Sequence, residues 1–115
     1  MSQPFVCHVE WGSSDPAVLE RFLSQLFGWK FQAFAPGYLM YLPEGGGVSV
    51  GINASTQMSP GGSPNVSIRV ENIDAVLFKA QELGGRVAVT KTMMGSGAFA
   101  FINAPDGNII GLQQL

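Results

Sequence analysis

Two runs of the chain share one pattern of apolar and polar positions. In the first, Phe5 to Trp11 alternates. Cys7, Val9 and Trp11 fall on one face, and Val6, His8 and Glu10 on the other, the period of a half-buried strand. Asp15 and Pro16 follow as the cap and first residue of a helix, because proline's missing N–H is not needed there. Leu19, Phe22, Leu23, Leu26 and Phe27 then recur at helical spacing as one apolar stripe, which Gly28 ends. Strands are predicted over 29–34, 38–42 and 48–53, with a Pro36-Gly37 turn and a loop over 43–47 between them.

The second run repeats the order. Val66, Ile68 and Val70 alternate with Asn65, Ser67 and Arg69. Asn72 is placed to cap a helix, with Asp74 in the first turn, where the helix dipole favours a carboxylate. Val76, Ala80 and Leu83 give its apolar stripe, and Gly84-Gly85 stop it. Strands are predicted over 86–92, 98–102 and 109–113. Pro105-Asp106-Gly107-Asn108 reads as a tight turn in which proline sets φ and glycine supplies a positive φ.

Each half therefore reads β-α-β-β-β. A repeat of roughly 55–60 residues is too long for a solenoid unit and suits a duplicated supersecondary module. The chain of 115 residues is one domain, 1–115, with module one at 1–55, a linker at 56–63 and module two at 64–115. The faces carrying Val9 and Trp11, and Val66, Ile68 and Val70, are expected under the helices. Those carrying His8 and Glu10, and Asn65, Ser67 and Arg69, are expected to line a cleft or meet solvent. Clefts of this kind hold small molecules.

Charge and composition narrow the partners. The net charge is -2 and no run of Lys or Arg occurs, so no nucleic-acid partner is expected. The apolar stretches fall far short of the ~20 residues of a membrane span, so no membrane partner is expected either. The start, MSQPFVCHVEW, lacks a basic region followed by an apolar one. With the single cysteine, Cys7, this suits a cytoplasmic location. Cys7 reads as a small buried hydrophobe in preference to a nucleophile. A homodimer is expected, as symmetric pairs are common, with the glycine-rich edge over 45–51 a place for the contact.

A set of short segments, in order, carries a family likeness. His8 stands seven residues before Asp15, and the first helix ends in Leu26-Phe27-Gly28-Trp29. Asn72-Ile73-Asp74-Ala75 opens the second helix, Leu83-Gly84-Gly85 closes it, and Ala104-Pro105-Asp106-Gly107-Asn108 precedes the last strand. Together these resemble the vicinal oxygen chelate superfamily of glyoxalase I, bleomycin-resistance proteins and extradiol dioxygenases. The resemblance implies an α+β fold, two βαβββ modules forming an incomplete barrel with a cup-shaped cleft. In metal-using members, the resemblance implies, four ligands come from the first and last strands of the two modules. Those places fall on His8, Gly51, Asn65 and Gly111, with Asn65 seven residues before Asn72. Glycine offers no side chain, and an amide is a weak substitute for imidazole, so neither a metal site nor a cofactor is expected.

The function expected is metal-independent binding of a small, partly apolar molecule in the central cup. His8, Glu10, Gly51, Asn65, Ser67, Arg69, Gly111 and Gln113 are the candidate ligand-binding residues. The paired glycines would leave room for a planar guest. Trp29, Phe31, Phe34, Tyr38, Tyr41, Phe99 and Phe101 would either stack on it or pack the core. The alternative is a lyase or isomerase of the same superfamily. His8 and Glu10, two apart on one strand face, would be its catalytic acid–base pair, and Arg69 would hold a carboxylate or enolate. Otherwise His8 is simply hydrogen-bonded to a neighbour such as Glu10 or Ser67. The segment 91–97, with Met93 and Met94 flanked by glycines, is expected as a flap over the cup or as a hairpin whose methionines fill gaps.

Overall fold

Helix-start chemistry appears where the residue types predict it. Asp15 accepts the Val18 amide at 3.3 Å, and Pro16 takes the first position of α1 (Pro16–Phe27). Asn72 accepts the Ala75 amide at 3.0 Å and opens α2 (Ile73–Glu82). Gly28 closes α1 in the left-handed region, at φ 75°. Around the helices run β1 (Phe5–Gly12), β2 (Gln32–Ala35), β3 (Tyr38–Tyr41) and β4 (Ser49–Asn53), then β5 (Asn65–Arg69), β6 (Arg86–Met94), β7 (Gly97–Asn103) and β8 (Ile109–Gln114). The computed structural model describes residues 3–54 and 64–115, so the predicted linker, 56–63, lies outside the described residues. The order is β-α-β-β-β twice, an α+β chain of two βαβββ modules. Among the described residues no helix is long and apolar enough to cross a membrane.

The chain divides into two compact units. One is His8–Asn65; the other joins the residues up to Cys7 to Val66–Leu115. In the first, the strands lie in the order β2-β3-β4-β1, with β1 parallel to β4 and the register His8↔Ser49, Glu10↔Gly51, Gly12↔Asn53. In the second the order is β5-β8-β7-β6, with β5 parallel to β8 and the register Ser67↔Gly111, Arg69↔Gln113. Successive side chains on a strand alternate faces, so paired residues stand side by side. His8, Glu10, Ser49, Gly51 and Asn53 therefore share one face. Ser67, Arg69, Gly111 and Gln113 share the corresponding face of the second unit.

The second unit holds the denser core: Val70, Ile73, Leu77, Ala98, Ala100, Ile102 and Leu112. From α2 it takes Ile73 and Leu77, with Val76 and Ala80 partly buried against them, the i, i+3, i+4, i+7 set. Leu83, expected in the stripe, is exposed, because it caps the helix past the last turn that faces the sheet. In the first unit Leu23, Val50 and Ile52 are buried. The stripe expected on α1 is only partly used: Phe22, Leu26 and Phe27 are exposed. At about 100° per residue the five positions span an arc wider than one sheet contact. Phe22 and Leu26 fall on the flank away from Leu23, alongside the exposed Val18.

Two strand boundaries differ from expectation for physical reasons. Residues 29–31 do not join β2. Trp29 instead stacks on Tyr41, with ring centroids 4.9 Å apart and planes 9° from parallel, while Phe27 and Phe31 pack beside it. The segment 91–97 is not a flap: β6 runs through it to Met94 and pairs with β7 at Met93↔Ala98 and Met94↔Gly97. The turn is Gly95-Ser96, with Gly95 at φ 61°, the positive φ that tight hairpin turns require. Met93 and Met94 are exposed, so they fill no gap either.

Candidate functional site

The polar face of β1 was expected to line a cleft or meet solvent, yet its His8 is enclosed. His8 is 4% exposed and Ser67, on the corresponding face of β5, 8% exposed, while Val9 and Trp11 are only half-buried. A buried imidazole needs partners, and the first unit supplies them. His8 Nδ1 lies 2.6 Å from Ser49 Oγ. His8 Nε2 lies 3.0 Å from Tyr38 Oη and 3.4 Å from Glu10 Oε1. Tyr38 donates its hydroxyl proton to Glu10 Oε1 at 2.5 Å, and Asn53 Nδ2 donates to Glu10 Oε2 at 3.4 Å.

These contacts assign the protons. Tyr38 has one O–H, and it goes to Glu10, so its oxygen accepts from His8. His8 Nε2 thus carries a proton and gives it to the Tyr38 oxygen, while Nδ1 forms its hydrogen bond with the Ser49 hydroxyl. The donors run one way from His8 through Tyr38 to the Glu10 carboxylate, with Ser49 joined at the far side of the imidazole. Burial pushes the Glu10 carboxyl up, but the hydrogen bonds from His8 and Tyr38, the attraction of His8 and the bond from Asn53 outweigh it and hold the group below its usual range. Tyr38 is pushed far above the usual phenol range, first by burial and then by its bond to Glu10 and the charge there.

Among the described residues the second unit shows no such ionic cluster. Cys7 Sγ donates to the Ser67 carbonyl at 3.6 Å and to Gln113 Oε1 at 3.4 Å. Burial raises the thiol above its ordinary value, partly offset by Arg69, which fits the buried-hydrophobe reading. The Arg69 guanidinium lies 5.9 Å from the Phe5 ring. Gln114 Oε1, unremarked in the sequence, accepts the Ile73 amide at 2.7 Å and so satisfies the start of α2. Asn65 opens β5, half-buried.

The glycines do not leave the room expected of them. A Cβ on Gly51 would stand 2.6 Å from Tyr38 Oη and 2.9 Å from His8 Nε2. One on Gly111 would stand 2.5 Å from Ser67 Oγ and 3.2 Å from Phe101 Cε1. The chain's own side chains occupy the volume that longer residues would need; in the first unit Glu10 anchors the one that does so. Of the candidate residues, His8, Glu10 and Gly51 thus come together in one unit, and Ser67, Arg69, Gly111 and Gln113 share a face in the other. Tyr38, Ser49 and Asn53 were missed as partners. Ser49 and Asn53 carried a signal, since they flank Gly51 at i±2 and share its face. Tyr38 appeared only as one aromatic among several.

The residues at the ligand positions do not fit the metal that the resemblance associates with them. Among the described residues no group of three His, Cys, Asp or Glu stands close enough to hold one. His8 Nε2 faces a hydroxyl and a carboxylate oxygen within the chain, and the space over Gly51 is filled by Tyr38.

No protein-family model matches the chain, and no curated protein does. Solved structures match along nearly its whole length. A glyoxalase/bleomycin resistance protein/dioxygenase superfamily member from Vibrio splendidus 12B01 is similar at TM-score 0.72 and 17% identity, covering 98% of this chain and 100% of that one. Methylmalonyl-CoA epimerase from Mycobacterium tuberculosis is similar at TM-score 0.69 and 16% identity, covering 95% and 86%. The chain has the vicinal oxygen chelate fold. A protein from Legionella pneumophila described as an NAD-dependent benzaldehyde dehydrogenase shares this fold at TM-score 0.67 and 19% identity, covering 94% and 97%. Neighbours with such different descriptions share an architecture, and the vicinal oxygen chelate fold by itself assigns no chemistry.

Proposed function

We propose that this chain binds a small, partly apolar molecule in the central cup expected of the fold, and that it does so without a resident metal. The observation that supports this most directly is the hydrogen-bonded set Ser49–His8–Tyr38–Glu10 at one ligand position. Where a cation would need donor atoms pointing outward, the donors are spent on one another. What stays half-exposed is Tyr38, edge-on to the exposed ring of Phe34 at 5.7 Å. With the Tyr38 hydroxyl engaged inside the network, the pair offers ring surface, which suits a guest having a flat apolar face.

A lyase or isomerase using His8 and Glu10 is the second reading. It is favoured by the approach of Nε2 to Oε1, 3.4 Å, and by the epimerases among the neighbours. The lowered basicity of Glu10, with both oxygens engaged, weighs against it, since a general base works best when its pKa is near the working pH.

The test is a thermal-shift screen with neutral aromatic and short electrophilic metabolites, run on protein before and after chelation. A ligand that binds the native state raises the melting temperature by mass action. The expected result is a hit whose affinity changes less than about twofold on chelation. Loss of binding on chelation, restored by Ni, Zn or Mn, overturns the metal-independent reading. Turnover of a hit that collapses in His8→Ala while affinity survives replaces it with the second reading.

A further inference from the structure

We infer that Arg69 anchors a subsite for a small monocarboxylate. The inference rests on the binding reading and deepens it by naming the guest's charged group. Three observations within the second unit carry it. Arg69 Nε is buried and has no hydrogen-bond partner. Buried N–H groups are nearly always paired, and this one forfeits its hydration while the guanidinium otherwise meets the Cys7 thiol and the Phe5 ring. No ion pair to Arg69 occurs among the described residues, although Lys79 and Lys91 each reach a carboxylate. The Cys7 thiol beside it supplies no countercharge, because burial keeps it protonated.

The third observation is the space itself. Arg69 lines a cavity of about 140 Å³, with Ser96, Gln113 and Gln114 as other polar walls and Met94 and Leu115 as apolar ones. The register Arg69↔Gln113 sets the guanidinium beside an amide on one sheet face. A guanidinium presents parallel N–H groups that match a carboxylate, and an amide adds a donor to the same oxygens. The charge balance points to one negative charge, because Arg69 is the one cationic side chain among the residues lining the cavity. A cavity of about 150 Å³ takes a guest the size of benzene, so the volume suits propionate to benzoate.

The experiment is a titration of ¹⁵N-labelled full-length protein, following the Arg69 Nε–Hε resonance, with propionate, benzoate, inorganic phosphate and the neutral isostere benzyl alcohol. The expected result is a saturable shift of that resonance with propionate or benzoate, a non-saturating response to phosphate, and at least tenfold weaker carboxylate binding in Arg69→Lys. Gln113→Leu is expected to weaken binding by a smaller factor, and it serves if Arg69→Lys does not fold. An unmoved Arg69 resonance, or an equal one with benzyl alcohol, overturns the inference. If benzyl alcohol binds elsewhere, with no preference for carboxylates, the binding reading stands and this inference alone fails. If no probe shifts any resonance, the inference fails, and the metabolite screen decides the broader reading separately.

Discussion

Glu10 and Ser67 hold equivalent places in two copies of one module. Each lies beside a glycine on a parallel neighbour, Glu10↔Gly51 and Ser67↔Gly111, and two residues further on that neighbour an amide follows, Asn53 or Gln113. Each amide pairs with an aromatic on the next strand, Tyr38↔Asn53 and Phe99↔Gln113. The backbone frame is the same, and the side chains set on it, Glu10 against Ser67 and Tyr38 against Phe99, separate the outcomes. With Tyr38, a carboxylate is held ionised in a network through His8 to Ser49. With Phe99, the serine closes over its own glycine, and stability comes from an aliphatic core around Ile73 and Leu77. A duplicated frame conserves where polar side chains can meet; residue type decides whether they do.

The sharpest break of this comparison is in the cores. Ile73→Ala should cost about 2–5 kcal/mol, because Ile73 is fully enclosed and the cavity left behind cannot collapse. Phe22→Ala, on the exposed flank of α1, should stay within about 0.5 kcal/mol by urea denaturation at the same protein concentration. Equal costs would show that α1 buries Phe22 in solution, and the contrast between the units would go.

Tyr38→Phe converts the first module's network to the second's pattern. It removes the shortest hydrogen bond to Glu10 Oε1 and the nearer of two partners of His8 Nε2, so it should cost about 1–3 kcal/mol. The Glu10 carboxyl should also rise, readable by carboxyl ¹³C titration. The reciprocal Phe99→Tyr, with no carboxylate at Ser67 to receive the proton, should not recover a comparable gain. A neutral Tyr38→Phe would mean that the short bond to Glu10 contributes nothing net.

Gly28→Ala should cost about 1 kcal/mol. An added Cβ meets nothing within 4 Å, so the whole effect is the positive φ. A larger loss would point to a contact at the end of α1 that the second module's helix end lacks.

Glu10 and Tyr38 of the first module work at opposite ends of the pH scale. The folded Glu10 pKa lies below its ordinary 4.5, so its stabilisation is present above that value and is lost as pH falls through the lowered one. The folded Tyr38 pKa lies above its ordinary 10, so its contribution is present below pH 10 and is lost as pH rises beyond. Glu10→Gln should therefore flatten the acid limb of a stability–pH curve and lessen the alkaline one. An unchanged acid limb in Glu10→Gln would remove Glu10 as its source.

The repeated element order and the helix caps at Asp15 and Asn72 were legible because each depends on residues within one turn of one another. The shared face of His8 and Glu10 was legible from the two-residue period of a strand. Tyr38 was not, because which residue of β3 arrives against Glu10 depends on how β3 registers on β4, and no local pattern encodes that. The supposed room over Gly51 and Gly111 failed for the same reason: a missing side chain says nothing about who fills its place. The exposed flank of α1 was misread because helical periodicity gives the direction of an apolar arc, not the width of sheet that meets it.

By itself, then, the order of residues determined two β-α-β-β-β halves, their turns, and which positions along β1 and β5 point the same way, since those follow from backbone chemistry over short distances. Tertiary structure alone decided that His8 finds Tyr38, that Glu10 is held as an anion, and that a guanidinium N–H at Arg69 lies buried beside a small cavity. These depend on side-chain contacts between residues 28 or more apart in the chain, set by strand pairing in which small differences in register change every partner.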